Sequence, residues 1–111
     1  MYARKWGGTT YSTTETLTGD TWIDGKSIYR KTFIVNNPVS GTTVDVTQIG
    51  TLINGYGVVK RSDDYIIPTS YCYTNGYAFQ WVLRADLNKL WFYIDKMTVA
   101  QVRLTLEYTK N

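Results

Sequence analysis

The chain predicts an all-β fold: a small antiparallel β-sandwich, jelly-roll-like, of seven to eight short strands. Three observations carry this expectation. Tyr, Trp and Phe make up 15% of the 111 residues, threonine is frequent and alanine scarce, a composition suited to a pleated, half-buried surface. Several stretches alternate apolar and polar residues with a period of two. Turn signals recur about every 8–12 residues, and no stretch of roughly 12 residues carries a helical stripe.

Residues 1–10, with Arg4, Lys5, Trp6 and the Gly7-Gly8 pair, read as an N-terminal lead-in segment, and 11–111 as a single module. Tyr11 to Thr18 alternates weakly and suits an edge strand. Asp24-Gly25 lies between two apolar runs, a strong hairpin signal because both positions must tolerate unusual backbone angles. In the second run, Tyr29, Lys31, Phe33 and Val35 share one face and Ile28, Arg30, Thr32 and Ile34 the other. Both faces mix apolar and charged residues, so sidedness stays open. Asn37-Pro38 ends the run.

Thr42 to Val46 reads as a strand, and Thr47 to Ile53 as a strand or a short helical turn. Asn54-Gly55 reads as a turn. Tyr56 to Lys60 and Tyr65 to Ile67 then flank the polar tip Arg61-Ser62-Asp63-Asp64. Asn75-Gly76 opens the clearest hairpin, in which Tyr77, Phe79, Trp81 and Leu83 alternate with Ala78, Gln80, Val82 and Arg84. Asp86 to Lys89 is its turn, and Leu90, Phe92 and Ile94 return along one face. In the last strand Val102, Leu104, Leu106 and Tyr108 point in, and Arg103, Thr105, Glu107 and Thr109 point out.

Composition excludes much chemistry. There is no histidine, which removes the usual activator of a serine or cysteine nucleophile and the commonest metal ligand. The single cysteine, Cys72, forms no internal disulfide and reads as a small, partly buried apolar residue. Gly55-Tyr56-Gly57 lacks the Lys and following helix of a phosphate loop. Asp63-Asp64 alone is too sparse for a calcium site. A glycosidase pair needs one carboxylic acid in an apolar pocket. Asp63-Asp64 sits in a polar tip, Asp24 belongs to a turn, and Glu15 and Glu107 fall on outward or edge positions. No catalytic, cofactor or metal residue is therefore expected.

The net charge of +3 is spread among interspersed acids, without the dense basic patch of a nucleic-acid surface. No apolar run approaches the roughly 20 residues a membrane helix needs, and no signal-peptide core follows Met1.

The aromatics remain. Phe33, Phe79, Trp81, Phe92 and Tyr108 read as core by alternation, and Trp22 as a core plug beside its turn. Tyr71, Tyr73 and Tyr77 gather around the Asn75-Gly76 tip, where binding residues tend to sit. Trp91 and Tyr93 share the polar side of a hairpin. These five are the expected ligand or interface residues, since exposed aromatics in number imply a partner.

The stretch Tyr11-Ser12-Thr13…Glu15…Gly19…Thr21-Trp22-Ile23-Asp24-Gly25-Lys26-Ser27-Ile28-Tyr29-Arg30-Lys31-Thr32 resembles a module of phage and prophage tail, fibre and baseplate proteins. That family carries "YST.E…G.W.DGKPIYRKT" near its start and ends in "V.LEYTK", matched by Val102-Arg103-Leu104-Thr105-Leu106-Glu107-Tyr108-Thr109-Lys110; Ile66-Ile67-Pro68 loosely matches an apolar-Pro-Tyr segment midway. Ser27 stands where the family usually has Pro, and the aromatic 71–77 segment is a further departure. The resemblance implies a non-catalytic virion component, made in the bacterial cytoplasm and assembled with other virion proteins, and a homo-oligomer, with a trimer the usual state. It supplies no catalytic set. Two roles follow: a receptor-binding module that contacts host-surface glycan, or a purely structural fibre, baseplate or head-decoration module whose aromatics pack on neighbouring subunits. A polysaccharide-degrading enzyme is a third, less favoured role.

Overall fold

The computed structural model describes residues 11–72 and 76–111; the lead-in segment and Tyr73 lie outside them. Nine strands run through the described residues: β1 (Thr16–Thr21), β2 (Ser27–Asn36), β3 (Thr43–Asp45), β4 (Ile49–Arg61), β5 (Ile66–Pro68), β6 (Tyr71–Cys72), β7 (Ala78–Arg84), β8 (Lys89–Asp95) and β9 (Val99–Lys110). They form two antiparallel sheets, ordered β1-β2-β9-β4-β5 and β3-β8-β7-β6. The fold is the expected β-sandwich. Pairing β2 with β9 and β3 with β8 nests two strand pairs across the two sheets, as in a jelly roll. β4 also pairs with β9 over most of its length; the remaining neighbours are local, β1 with β2, β4 with β5, and β6, β7 and β8 in a meander.

The core lies between the sheets. Phe33, Val59, Phe79, Leu90, Phe92, Val102, Leu104, Leu106 and Tyr108 are among its buried side chains, drawn from both sheets. Phe79 and Phe92 pack with ring centroids 5.6 Å apart, within the range favoured by aromatic pairs. β9 sits at the centre of the larger sheet, and its register settles the sidedness of β2. Tyr29, Lys31, Phe33 and Val35 lie opposite Tyr108, Leu106, Leu104 and Val102, so that face turns inward. Arg30 and Thr32 thereby face outward, opposite Glu107 and Thr105.

The Asp24-Gly25 hairpin forms. Trp22 N–H donates to the Lys26 carbonyl at 2.8 Å, and the Asp24 side chain accepts from Lys26 N–H at 3.0 Å. The second half of the module also follows the alternation, although the β7–β8 turn ends at Asn88 and Lys89 already belongs to β8.

Three expectations are corrected. Asn54-Gly55 is not a turn; both residues lie inside the 13-residue strand β4. A side chain at Gly55 would meet the Trp81 ring at 2.4 Å, so the glycine there makes room for a large aromatic of the facing sheet. Thr105 and Thr109 are buried rather than solvated, because β9 is the central strand of its sheet with neighbours on both sides; the Thr105 hydroxyl bonds to that of Thr32. Thr109 Oγ1 accepts the Thr51 N–H at 3.1 Å, next to an irregularity in the β4–β9 register. Cys72 is exposed: it alternates with Tyr71, which takes the inward position on edge strand β6 opposite Phe79.

Candidate functional site

The four-stranded sheet turns one face outward, and β8 places Trp91 and Tyr93 on it. Cross-strand pairing sets Thr43, Trp91 and Val82 in one row and Tyr93 beside Gln80 in the next. Trp91 is 45%, Tyr93 50% and Val82 48% exposed. The three form an apolar patch between polar neighbours. The Lys89–Asp45 ion pair and the fork of Arg84 on Asp86, at 2.8 Å, lie at its β3 side and beyond its tip. A flat aromatic pair with adjacent amide and hydroxyl groups can take the apolar face of a sugar or a neighbouring subunit.

The other candidate aromatics go elsewhere. Tyr71 packs against the core. Tyr77 is half-buried, its ring 5.4 Å from the Arg61 guanidinium, which also lies over Tyr65 and pairs with Asp63 at 2.7 Å. Of the five residues singled out in the sequence, the structure therefore brings together Trp91 and Tyr93. The chain matches no protein family, no curated protein and no solved structure.

Two carboxylates that alternation assigned to solvent organise the opposite, five-stranded sheet. Arg30 Nε donates to Glu107 Oε2 at 2.8 Å, with side-chain exposures of 16% and 18%. The Tyr56 hydroxyl donates to the same oxygen at 3.0 Å. Tyr11 closes over the pair: its ring stands edge-on to Tyr56 at 6.3 Å and 5.7 Å from the Arg30 guanidinium. Burial, Tyr11 and Glu107 together push the Tyr56 phenol well above its ordinary pKa. Burial disfavours the Arg30 charge, yet Glu107 outweighs it and raises the guanidinium pKa.

Glu15 forms the second hub. It accepts from Tyr108 Oη at 2.5 Å and Thr47 Oγ1 at 3.2 Å, and pairs with Lys110 at 2.5 Å. It thus ties the approach to β1 onto β9 and the β3–β4 connection. Burial works against the carboxylate, but Lys110, Tyr108 and Thr47 outweigh it and hold its pKa below the ordinary 4.5. A depressed acid is a poor proton donor near neutral pH, so Glu15 suits architecture rather than acid catalysis. Its stabilising contribution is complete above the ordinary carboxylate value and fades as pH falls through the lower folded one. Glu15→Gln should therefore be less stable than the parent at about pH 7, with a narrower gap in acid at a pH below the ordinary carboxylate value. Urea denaturation at the two pH values measures it; a gap that stays constant would remove the linkage.

The sequence did hold a signal for these hubs. The Tyr-Arg-Lys-Thr and Glu-Tyr-Thr-Lys segments each put a polar residue, Arg30 and Glu107, on an outward face, and Glu15 stands just before β1. Single-strand alternation could not show that they meet.

Proposed function

We propose that the chain is a non-catalytic phage virion module, a tail-fibre or receptor-binding domain whose Trp91–Tyr93 face contacts host-surface glycan. The observation that carries this reading is the half-exposed aromatic pair with Val82 and Gln80 beside it. Rings fixed on a rigid sheet offer contact area at small cost in side-chain entropy. The family resemblance supports the virion setting. Its two segments, far apart in sequence, are hydrogen-bonded neighbours: Tyr29, Arg30, Lys31 and Thr32 lie opposite Tyr108, Glu107, Leu106 and Thr105.

Binding of the labelled protein to an array of bacterial surface glycans tests the role. Trp91→Ala and Tyr93→Ala should each weaken retention about tenfold or more, the loss expected for a central aromatic anchor, while melting as the parent does. Unchanged retention by both variants would refute the site.

A second reading is favoured by the Val82–Trp91 pair, which is apolar across both strands: the face packs on another subunit of a fibre, baseplate or head-decoration assembly. Native mass measurement separates the two. A homo-oligomer, with a trimer expected, that Trp91→Ala dissociates supports the interface; a monomer at micromolar concentration opposes it.

A further inference from the structure

The outer face of the five-stranded sheet carries a shallow groove of about 350 Å³ lined by Tyr11, Thr32, Tyr56, Val58, Arg103 and Thr105. Its walls are held in place. Ser12 accepts the Thr32 N–H at 2.8 Å, which brings Tyr11 across the face. Tyr56 is fixed by its hydrogen bond to Glu107, whose charge Arg30 already neutralises. On the floor the Thr32 and Thr105 hydroxyls bond to each other at 2.8 Å, and such a pair keeps one unused proton and spare lone pairs for a further partner.

Arg103 is the unspent group. Of the four arginines among the described residues, Arg30, Arg61 and Arg84 each hold a carboxylate. Arg103 makes no ion pair or side-chain hydrogen bond among the described residues, and it lies exposed between Ile34 and Val58 in the cross-strand register. The groove thus combines two tyrosine rings, a hydroxyl pair and one unpaired guanidinium. A planar fork of donors matches a carboxylate in two-point fashion, tyrosine rings take the apolar face of a sugar, and hydroxyls take sugar hydroxyls.

The geometry points to a second binding site here, for an acidic saccharide whose carboxylate pairs with Arg103 while its ring lies against Tyr11 and Tyr56. The volume is in the range of small-ligand sites and suits one or two sugar rings. This site is separate from the Trp91–Tyr93 face and does not depend on it.

The test is a titration of ¹⁵N-labelled protein, followed by amide NMR, with trisaccharides of galacturonate, glucuronate and mannuronate and with their methyl esters. The esters keep the rings and lose the charge. At least one acid should shift the amides of Thr32, Val58 and Arg103 to Thr105, with its ester at least about tenfold weaker. Arg103→Gln should melt as the parent does and bind acid and ester alike; Tyr11→Ala should weaken both. Absence of groove shifts with every acid, equal binding of acid and ester by the parent, or unaltered preference in Arg103→Gln would each overturn the proposal. So would inorganic phosphate shifting the same amides as strongly as the uronates, which would make the groove a general anion site. Shifts confined to Trp91 and Tyr93 would overturn it as well, while leaving the glycan reading of that face intact.

Discussion

Gly57→Ala is expected to destabilise the protein by at least about 3 kcal/mol, near the upper end for a clash that side-chain rotation cannot relieve. A β-carbon at position 57 would lie 1.9 Å from the Arg103 carbonyl oxygen and 2.9 Å from its carbonyl carbon. Both atoms are backbone, so one of the two strands has to move. These are β4 and β9, the longest strands, which pair through most of their length, and β9 is the centre of its sheet. Moving it would disturb the buried row Val102, Leu104 and Leu106 on its inner side. For a domain of this size the loss corresponds to a fall in Tm of roughly 10 °C or more. Thermal melting by circular dichroism measures it. A variant that melts within about 2 °C of the parent would mean that the backbones do not approach so closely. Arg103→Gln, which removes no ion pair or side-chain hydrogen bond among the described residues, is the matched control.

What the sequence displayed and what it hid follow from the same physics. Period-two alternation reports which side of a strand is apolar, and it placed Phe79, Phe92, Leu104 and Tyr108 in the core without a partner strand being known. It cannot report whether a strand is central or peripheral. Thr109 and Thr105 look like solvent-facing residues in their own strand, yet both are buried because β9 has neighbours on both sides, and Tyr11 and Tyr56 line the same groove as Thr105. Asn54-Gly55 shows the limit of turn chemistry: a glycine that frees the backbone for a turn also makes room for a ring, and only the approach of Trp81 separates the two uses. Trp91 and Tyr93 were legible as surface aromatics because they share a strand. Tyr71 and Tyr77 flank a loop in sequence, but β6 turns Tyr71 to the core and Arg61 draws Tyr77 aside. Glu107 and Arg30 are 77 residues apart, a pairing that no local pattern encodes.

That pairing gives the other large effect. Glu107→Ala should cost about 2–4 kcal/mol, toward the lower part of the range for breaking a buried ion pair because both side chains keep some access to water. The substitution leaves Arg30 charged and covered by Tyr11, and deprives the Tyr56 hydroxyl of its acceptor. Glu107→Gln keeps an acceptor for Tyr56 but not the charge, and should fall between the parent and the alanine variant. Replacing both members, as in Arg30→Met with Glu107→Leu, should recover most of the loss, since an apolar pair removes the stranded charge as well as the attraction. A double-mutant cycle in urea measures the coupling. Ultraviolet titration of tyrosine provides an independent readout. The negative charge of Glu107 disfavours the Tyr56 phenolate, so its removal should bring one raised tyrosine pKa down toward the ordinary value. A loss below about 1 kcal/mol with no change in the tyrosine titration would place this pair among exposed ion pairs of little consequence. It would also remove the fixed wall on which the Arg103 groove depends.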